Sequence, residues 1–255
     1  MNTATVTTPL ARYVVRLADD NLILGQRLAE YISEAPELEE DLAIGNLSLD
    51  HIGVAMHLYE YAATLGDSST TADKLSFLRT EREFTNVLLV EQPHAGFGDV
   101  IARQFFFSAY QTLLWEALAS SADTILAGIS AKALKESTYH LRHAASWVVR
   151  LGDGTDESHD RMQAAIDSLW RFTGELFESD DLCAEMVISG AGTDPAALQV
   201  PWDTKVAAVL REATLTRPTD PYQATGGRTG MHTEHLGYML AEMQWMQRTY
   251  PDMEW

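Results

Sequence analysis

The sequence predicts an all-α protein, a bundle of long antiparallel helices followed by shorter ones. Apolar residues recur at steps of three and four through most of the chain, no segment sustains period-two alternation, and the breaks between periodic stretches are short. The first eight residues are small and polar and are expected to be disordered. Pro9 then opens a helix whose face runs through Leu10, Val14, Leu17, Asn21, Leu24, Leu28 and Tyr31. Pro36 breaks it, because the residue before a proline is pushed out of the helical region. The second helix carries Leu38, Leu42, Leu49, Ile52, Met56 and Tyr59 and ends at Gly66. A third runs from about Thr71 to Val90 and is closed by Pro93. Two more follow, Val100 to Ser120 and Thr124 to Leu151.

The run GDGTD stops the chain and restarts it, with Thr155 or Asp156 as N-cap. Helices are expected over Asp156–Glu178, Pro195–Glu212 and Met231–Arg248, with Arg217–Gly230 as the long loop. One domain over residues 1–255 is expected, with a core bundle over about 9–151 and accessory helices over about 155–250. The later apolar stripes need a surface on which to be buried.

Eighteen Lys and Arg face 37 Asp and Glu, a formal net charge of −19. Such a surface repels phosphate backbones and anionic lipid, so neither nucleic acid nor a membrane surface is an expected partner. Cys183 is the single cysteine and reads as a buried helical thiol. An intramolecular disulfide is excluded, in keeping with a reducing cytoplasm. The N-terminus has neither a basic start nor an apolar core, and no stretch approaches 18 apolar residues.

The chemistry-bearing residues follow a damaged pattern. Ferritin-like diiron bundles take one carboxylate from each of two helices and Glu-x-x-His from each of the other two. Asp50 and Gly53 stand where the first Glu-x-x-His would fall, and Asp20 lies 30 residues earlier. Ser137 and His140 stand at the second, with Ser108 29 residues earlier. Three of these positions retain a metal-capable side chain, and neutral hydroxyls do not balance the charge of iron. No metal ligand, cofactor-binding residue or catalytic residue is therefore assigned.

Blander readings stand beside this one. Asp20 also reads as a helix-flank acid and His140 as a core histidine. The stripe Asn46, Asp50, Gly53, His57 and Glu60 is either an internal polar network or a solvated face. A rearranged iron site of Asp50, Glu136 and His140 is the alternative with activity of its own. The glycines of Thr225–Gly237 read as a tight loop rather than a phosphate cradle, and His232, Glu234 and His235 as cap and interface residues. Trp245, Arg248, Tyr250, Met253 and Trp255 form a terminal stripe that either docks on the bundle or meets a partner.

Several long stretches carry a resemblance: APELEEDLAIGNLSLDHIG, RTEREFTNVLLVEQPHAGFGDVIARQFF, ISAKALKESTYHLRHAASWVVRLGDGTDES, LWRFTGELF and TGGRTGMHTEHLGYMLAEMQ. The chain resembles the structural C subunits of bacterial phenylacetyl-CoA 1,2-epoxidases, from about residue 10 onward. The resemblance implies a ferritin-like fold and a non-catalytic role beside a homologous A subunit that holds the diiron centre. It implies accessory subunits and a reductase with flavin and an iron–sulfur cluster as further partners. The implied reaction uses oxygen and NADPH to epoxidise the ring of the coenzyme A thioester. Contact of this chain with that thioester is left open. The chain departs from the catalytic pattern at Gly53, Ser108 and Ser137.

Overall fold

The structure, a computed structural model, describes residues 6–250 and Met253. Among the described residues every regular element is helical. In chain order they are α1 (Pro9–Ala29), α2 (Leu38–Thr64), α3 (Ala72–Phe77), α4 (Leu88–Glu91), α5 (Phe97–Leu118), α6 (Thr124–Gly152), α7 (Asp156–Trp170), α8 (Asp181–Ile188), α9 (Gln199–Glu212), α10 (Glu234–Met243) and α11 (Trp245–Thr249). They fall into two compact units. One holds the chain up to Pro93 together with the segment from Gly226 on, and the other holds His94–Thr225.

In the first unit α1 packs along α2. Thr8 caps α1: its hydroxyl accepts the Ala11 amide at 3.3 Å, and Pro9 fills the first turn. The expected disorder thus does not extend to Thr8, and residues 1–5 lie outside the described residues. From Tyr13 to Gly25 every residue of α1 is buried, polar ones included. Gly25 sets the close approach of the two helices. A Cβ there would come within 2.8 Å of the Ile52 side chain, and Ser48 Oγ donates to the Gly25 carbonyl at 2.8 Å.

The single helix expected over Thr71–Val90 is instead α3, a 3-10 turn at Glu81–Glu83, and α4. The reason is competition for backbone donors. The amides of Thr85 and Val87 donate to the side chains of Asp19 and Asp20, each at 2.8 Å, and this stretch is extended rather than helical. The expected terminal helix is likewise divided into α10 and α11, and Gln244 between them donates to the Ser76 and Arg79 carbonyls at 3.3 and 3.0 Å.

In the second unit α5 pairs with α6, and α7 and α9 pack on them. Phe106, Tyr110, Trp170, Phe177 and Trp202 form an aromatic cluster with neighbouring ring centroids 5.2–5.9 Å apart. Trp202 Nε1 donates to the Phe106 carbonyl at 3.0 Å, which fixes α9 against α5. Thr155 caps α7, as one of the two expected residues. That helix ends at Trp170 rather than near Glu178, because the Arg171 carbonyl accepts the Ala224 amide at 2.7 Å and the Gly174 amide turns to Gln223 Oε1 at 2.7 Å. The helix α8, with Cys183 buried in it, has no counterpart among the expected helices. No helix among the described residues is long and apolar enough to cross a membrane.

Candidate functional site

The positions singled out by spacing divide between the units. In the first, Asp20 is buried and fully engaged. Arg228 binds it in bidentate fashion, Nη1 to Oδ1 at 2.9 Å and Nη2 to Oδ2 at 2.8 Å, and Val87 N donates to Oδ1 at 2.8 Å. Burial pushes this carboxyl up from its ordinary range, and the Arg228 charge and hydrogen bonds and the Val87 amide oppose that rise. The helix-flank reading of Asp20 is overturned, because it lies in the buried middle of α1. Asp50 and Gly53 sit half-exposed on α2, and a Cβ at Gly53 would meet nothing within 4 Å. Their stripe is a solvated face: Asn46 and Glu60 are exposed, and His57 lies 3.6 Å from Glu60. Next to Asp50 in sequence, His51 faces α1 instead, its Nδ1 3.0 Å from Asn21 Oδ1.

In the second unit Ser108, Ser137 and His140 are all buried. Ser108 accepts from Gln104 Nε2 at 3.0 Å, and Ser137 lies 3.4 Å from Gln111 Oε1. His140 packs edge-on to the Tyr139 ring. Glu136 is turned toward Lys132, 3.9 Å away. The interior of the α5–α6 pair thus carries amides, hydroxyls and an imidazole in place of carboxylates.

A denser cluster lies in the first unit, where spacing does not point. Asp19 accepts from Tyr59 OH at 2.5 Å, from both terminal nitrogens of Arg79, and from the Thr85 amide and hydroxyl at 2.8 and 2.9 Å. Arg79 also lies 4.1 Å over the Phe84 ring. Burial, then the Asp19 charge, raises the Tyr59 pKa well above its ordinary value, so the phenol stays a neutral donor. Glu91 is fully buried. Its Oε1 accepts the Thr233 amide and hydroxyl at 2.7 and 2.8 Å, and its Oε2 meets Asn86 Nδ2 at 2.9 Å and His232 Nδ1 at 2.7 Å. Burial works against a charged His232, but Glu91 and the Phe84 carbonyl outweigh it and raise the pKa. Arg27 ties the cluster together by donating to the Glu91 and His235 carbonyls, each at 2.9 Å.

Every oxygen of Asp19, Asp20 and Glu91 is therefore taken by an arginine, a histidine, a phenol, an amide or a hydroxyl. A carboxylate so saturated fixes chain segments and has no free lone pair directed at a ligand. The loop Gly226–Gly230 serves this purpose. Gly226 and Gly230 adopt φ of 129° and 75°, and a Cβ at Gly230 would strike the Arg82 carbonyl oxygen. The loop is tight as expected, but no side chain caps α10: His232 and the N-cap residue Thr233 turn to Glu91 and the Phe84 carbonyl instead. Arg248 docks on the Arg79 carbonyl at 2.9 Å, while Trp245 and Tyr250 stay exposed; Trp255 lies outside the described residues.

A diiron cluster does not fit this donor set. Asp20 is held by Arg228, Gly53 offers no side chain, and Ser108 and Ser137 offer neutral hydroxyls. No group of three or more His, Cys, Asp or Glu side chains that could hold a metal ion occurs among the described residues. Spacing alone misses Asp19, Arg79, Glu91 and Arg228. The available signal is the pair Asp19-Asp20 inside an otherwise apolar helix, since buried acids require buried countercharges.

Fold and cluster together define an all-α protein whose interior acids are neutralised by arginine and histidine. The chain belongs to the phenylacetic acid catabolic protein family, whose model matches residues 1–255. It is 49% identical, over 246 residues, to the C subunit of 1,2-phenylacetyl-CoA epoxidase from Escherichia coli K12, covering 96% of this chain and 99% of that one. Among solved structures it resembles a Synechococcus protein with aldehyde deformylating oxidase activity, at 16% identity and a TM-score of 0.49, over 82% of this chain and 88% of that one.

Proposed function

We propose that this chain is the non-catalytic structural subunit of a phenylacetyl-CoA 1,2-epoxidase, acting in the cytoplasm in aerobic phenylacetate degradation. The observation that carries the reading is the clamping of Asp20 by Arg228 and Val87, at the position where a diiron subunit would present a ligand. Its four long helices, α1, α2, α5 and α6, match in number those of the ferritin-like bundle that the resemblance implies. The iron pair belongs to the homologous catalytic subunit, and NADPH, flavin and iron–sulfur chemistry to the reductase. The similarity to the Escherichia coli C subunit over nearly the whole of both chains supports this division of labour. What this chain supplies is a rigid helical surface that holds the helices of the catalytic subunit in place.

The test is reconstitution. The purified chain, expressed in iron-rich medium, carries no stoichiometric iron and no oxygenase activity, and it co-purifies with the iron-bearing subunit. In the assembled complex His140→Ala leaves epoxidation within a few-fold of the parent. About two irons per chain in this polypeptide, or a loss on the order of 10³-fold with assembly intact, overturns the reading in favour of a rearranged site.

A further inference from the structure

The outer face of α2 carries an apolar seam whose leucines and methionine stand exposed among the described residues, with Ile52 at its inner edge beside Gly25 of α1. Leu38, Leu42, Leu49 and Met56 are 69, 61, 66 and 48% exposed, and Gly45 and half-exposed Ile52 complete the row. The steps between these six positions are four, three, four, three and four. This is the a/d register of a helix built to pack along another helix. Ile32, 46% exposed, extends the patch, reaching within 3.9 Å of where a Gly45 Cβ would stand. Single exposed leucines are ordinary, but a continuous row spanning about 27 Å of helix marks an interaction surface.

The charges beside the row say what covers it. Glu39 and Glu60 flank it on one side and Asp41 on the other, in the positions that meet a partner's charges across a helix pair. A second copy of this chain would bring acid against acid, on a molecule of formal charge −19. The complementary partner is an amphipathic helix with Lys or Arg beside its apolar row.

We propose that this α2 seam is the docking surface for such a helix on the catalytic diiron subunit, an inference that rests on the functional reading above. The test uses the full chain and its co-expressed catalytic partner, with affinity read by sedimentation velocity or calorimetry. Leu42→Asp with Leu49→Asp weakens assembly roughly 100-fold or more, while circular dichroism and the unfolding midpoint match the parent. Ile188→Asp, at a position 88% exposed on α8, serves as the control and changes nothing. Glu39→Lys, Asp41→Lys and Glu60→Lys together weaken assembly about tenfold at low salt, and the difference shrinks as salt rises. Unchanged assembly of the leucine double variant overturns the seam and leaves the functional reading intact. A parent homodimer that the same variant dissolves shows the occupant to be a second copy and overturns the proposal. A parent chain that fails to bind the diiron subunit overturns both.

Discussion

Replacing Arg228 by alanine leaves Asp20 buried without its countercharge. The wild-type carboxylate receives three hydrogen bonds, two from Arg228 at 2.9 and 2.8 Å and one from Val87 at 2.8 Å, and both partners of the ion pair are largely buried. Removing one member of such a pair costs about 3–5 kcal/mol, most of it the penalty of the stranded charge. At about 2–4 °C per kcal/mol for a chain of this size, the Tm falls by about 6–20 °C. The loss depends on pH. With only the Val87 amide left to oppose burial, the folded carboxyl keeps its proton to higher pH than the unfolded one, so the variant loses stability as pH rises from about 4 and is relatively better off at pH 5 than at pH 8. Replacing both partners by leucine recovers most of the loss, because no charge is then left in the interior. Differential scanning calorimetry at the two pH values, with hydrogen exchange at the Val87 amide, measures this. A loss below about 1 kcal/mol, equal at pH 5 and pH 8, would show that the pair does not hold α1 in the way argued.

His232 contributes stability that is complete below its unfolded pKa near 6.5 and is lost as pH rises through its raised folded value, so urea midpoints fall above neutrality and His232→Gln flattens that decline. Gly53→Ala, with open space around its Cβ in a helix, stabilises by about 0.5–1 kcal/mol in chemical denaturation. Gly152→Ala, whose Cβ would meet the Ala213 carbonyl oxygen, costs about 1–3 kcal/mol in the same assay. Trp202→Ala empties the centre of the aromatic cluster and costs about 3–5 kcal/mol, seen as a lowered Tm and a changed near-ultraviolet dichroism.

The long helices are legible because their apolar steps are regular, and α1, α2, α5 and α6 begin and end close to where Pro9, Gly66 and the GDGTD run place them. The stretch from Thr71 to Val90 is not, because its helical periodicity is real but its amides are claimed by Asp19 and Asp20 from far away in sequence. Spacing finds Asp20, yet it assigns the residue to a vanished metal site, and nothing local announces Arg228 as its partner. Periodicity also puts Leu38, Leu42, Leu49 and Met56 on an apolar face of α2, but it does not show which molecule covers that face.

The clamp on α1 also bears on how the chain is made. Asp20 and Arg228 are 208 positions apart, and the first unit joins the segment up to Pro93 with the one from Gly226 on. At a synthesis rate of about 5–20 residues per second, the first helix leaves the ribosome roughly 10–40 s before the arginine that neutralises it. During that interval α1 cannot reach its final state, and a message truncated before the codon for Arg228 yields a polypeptide that never can.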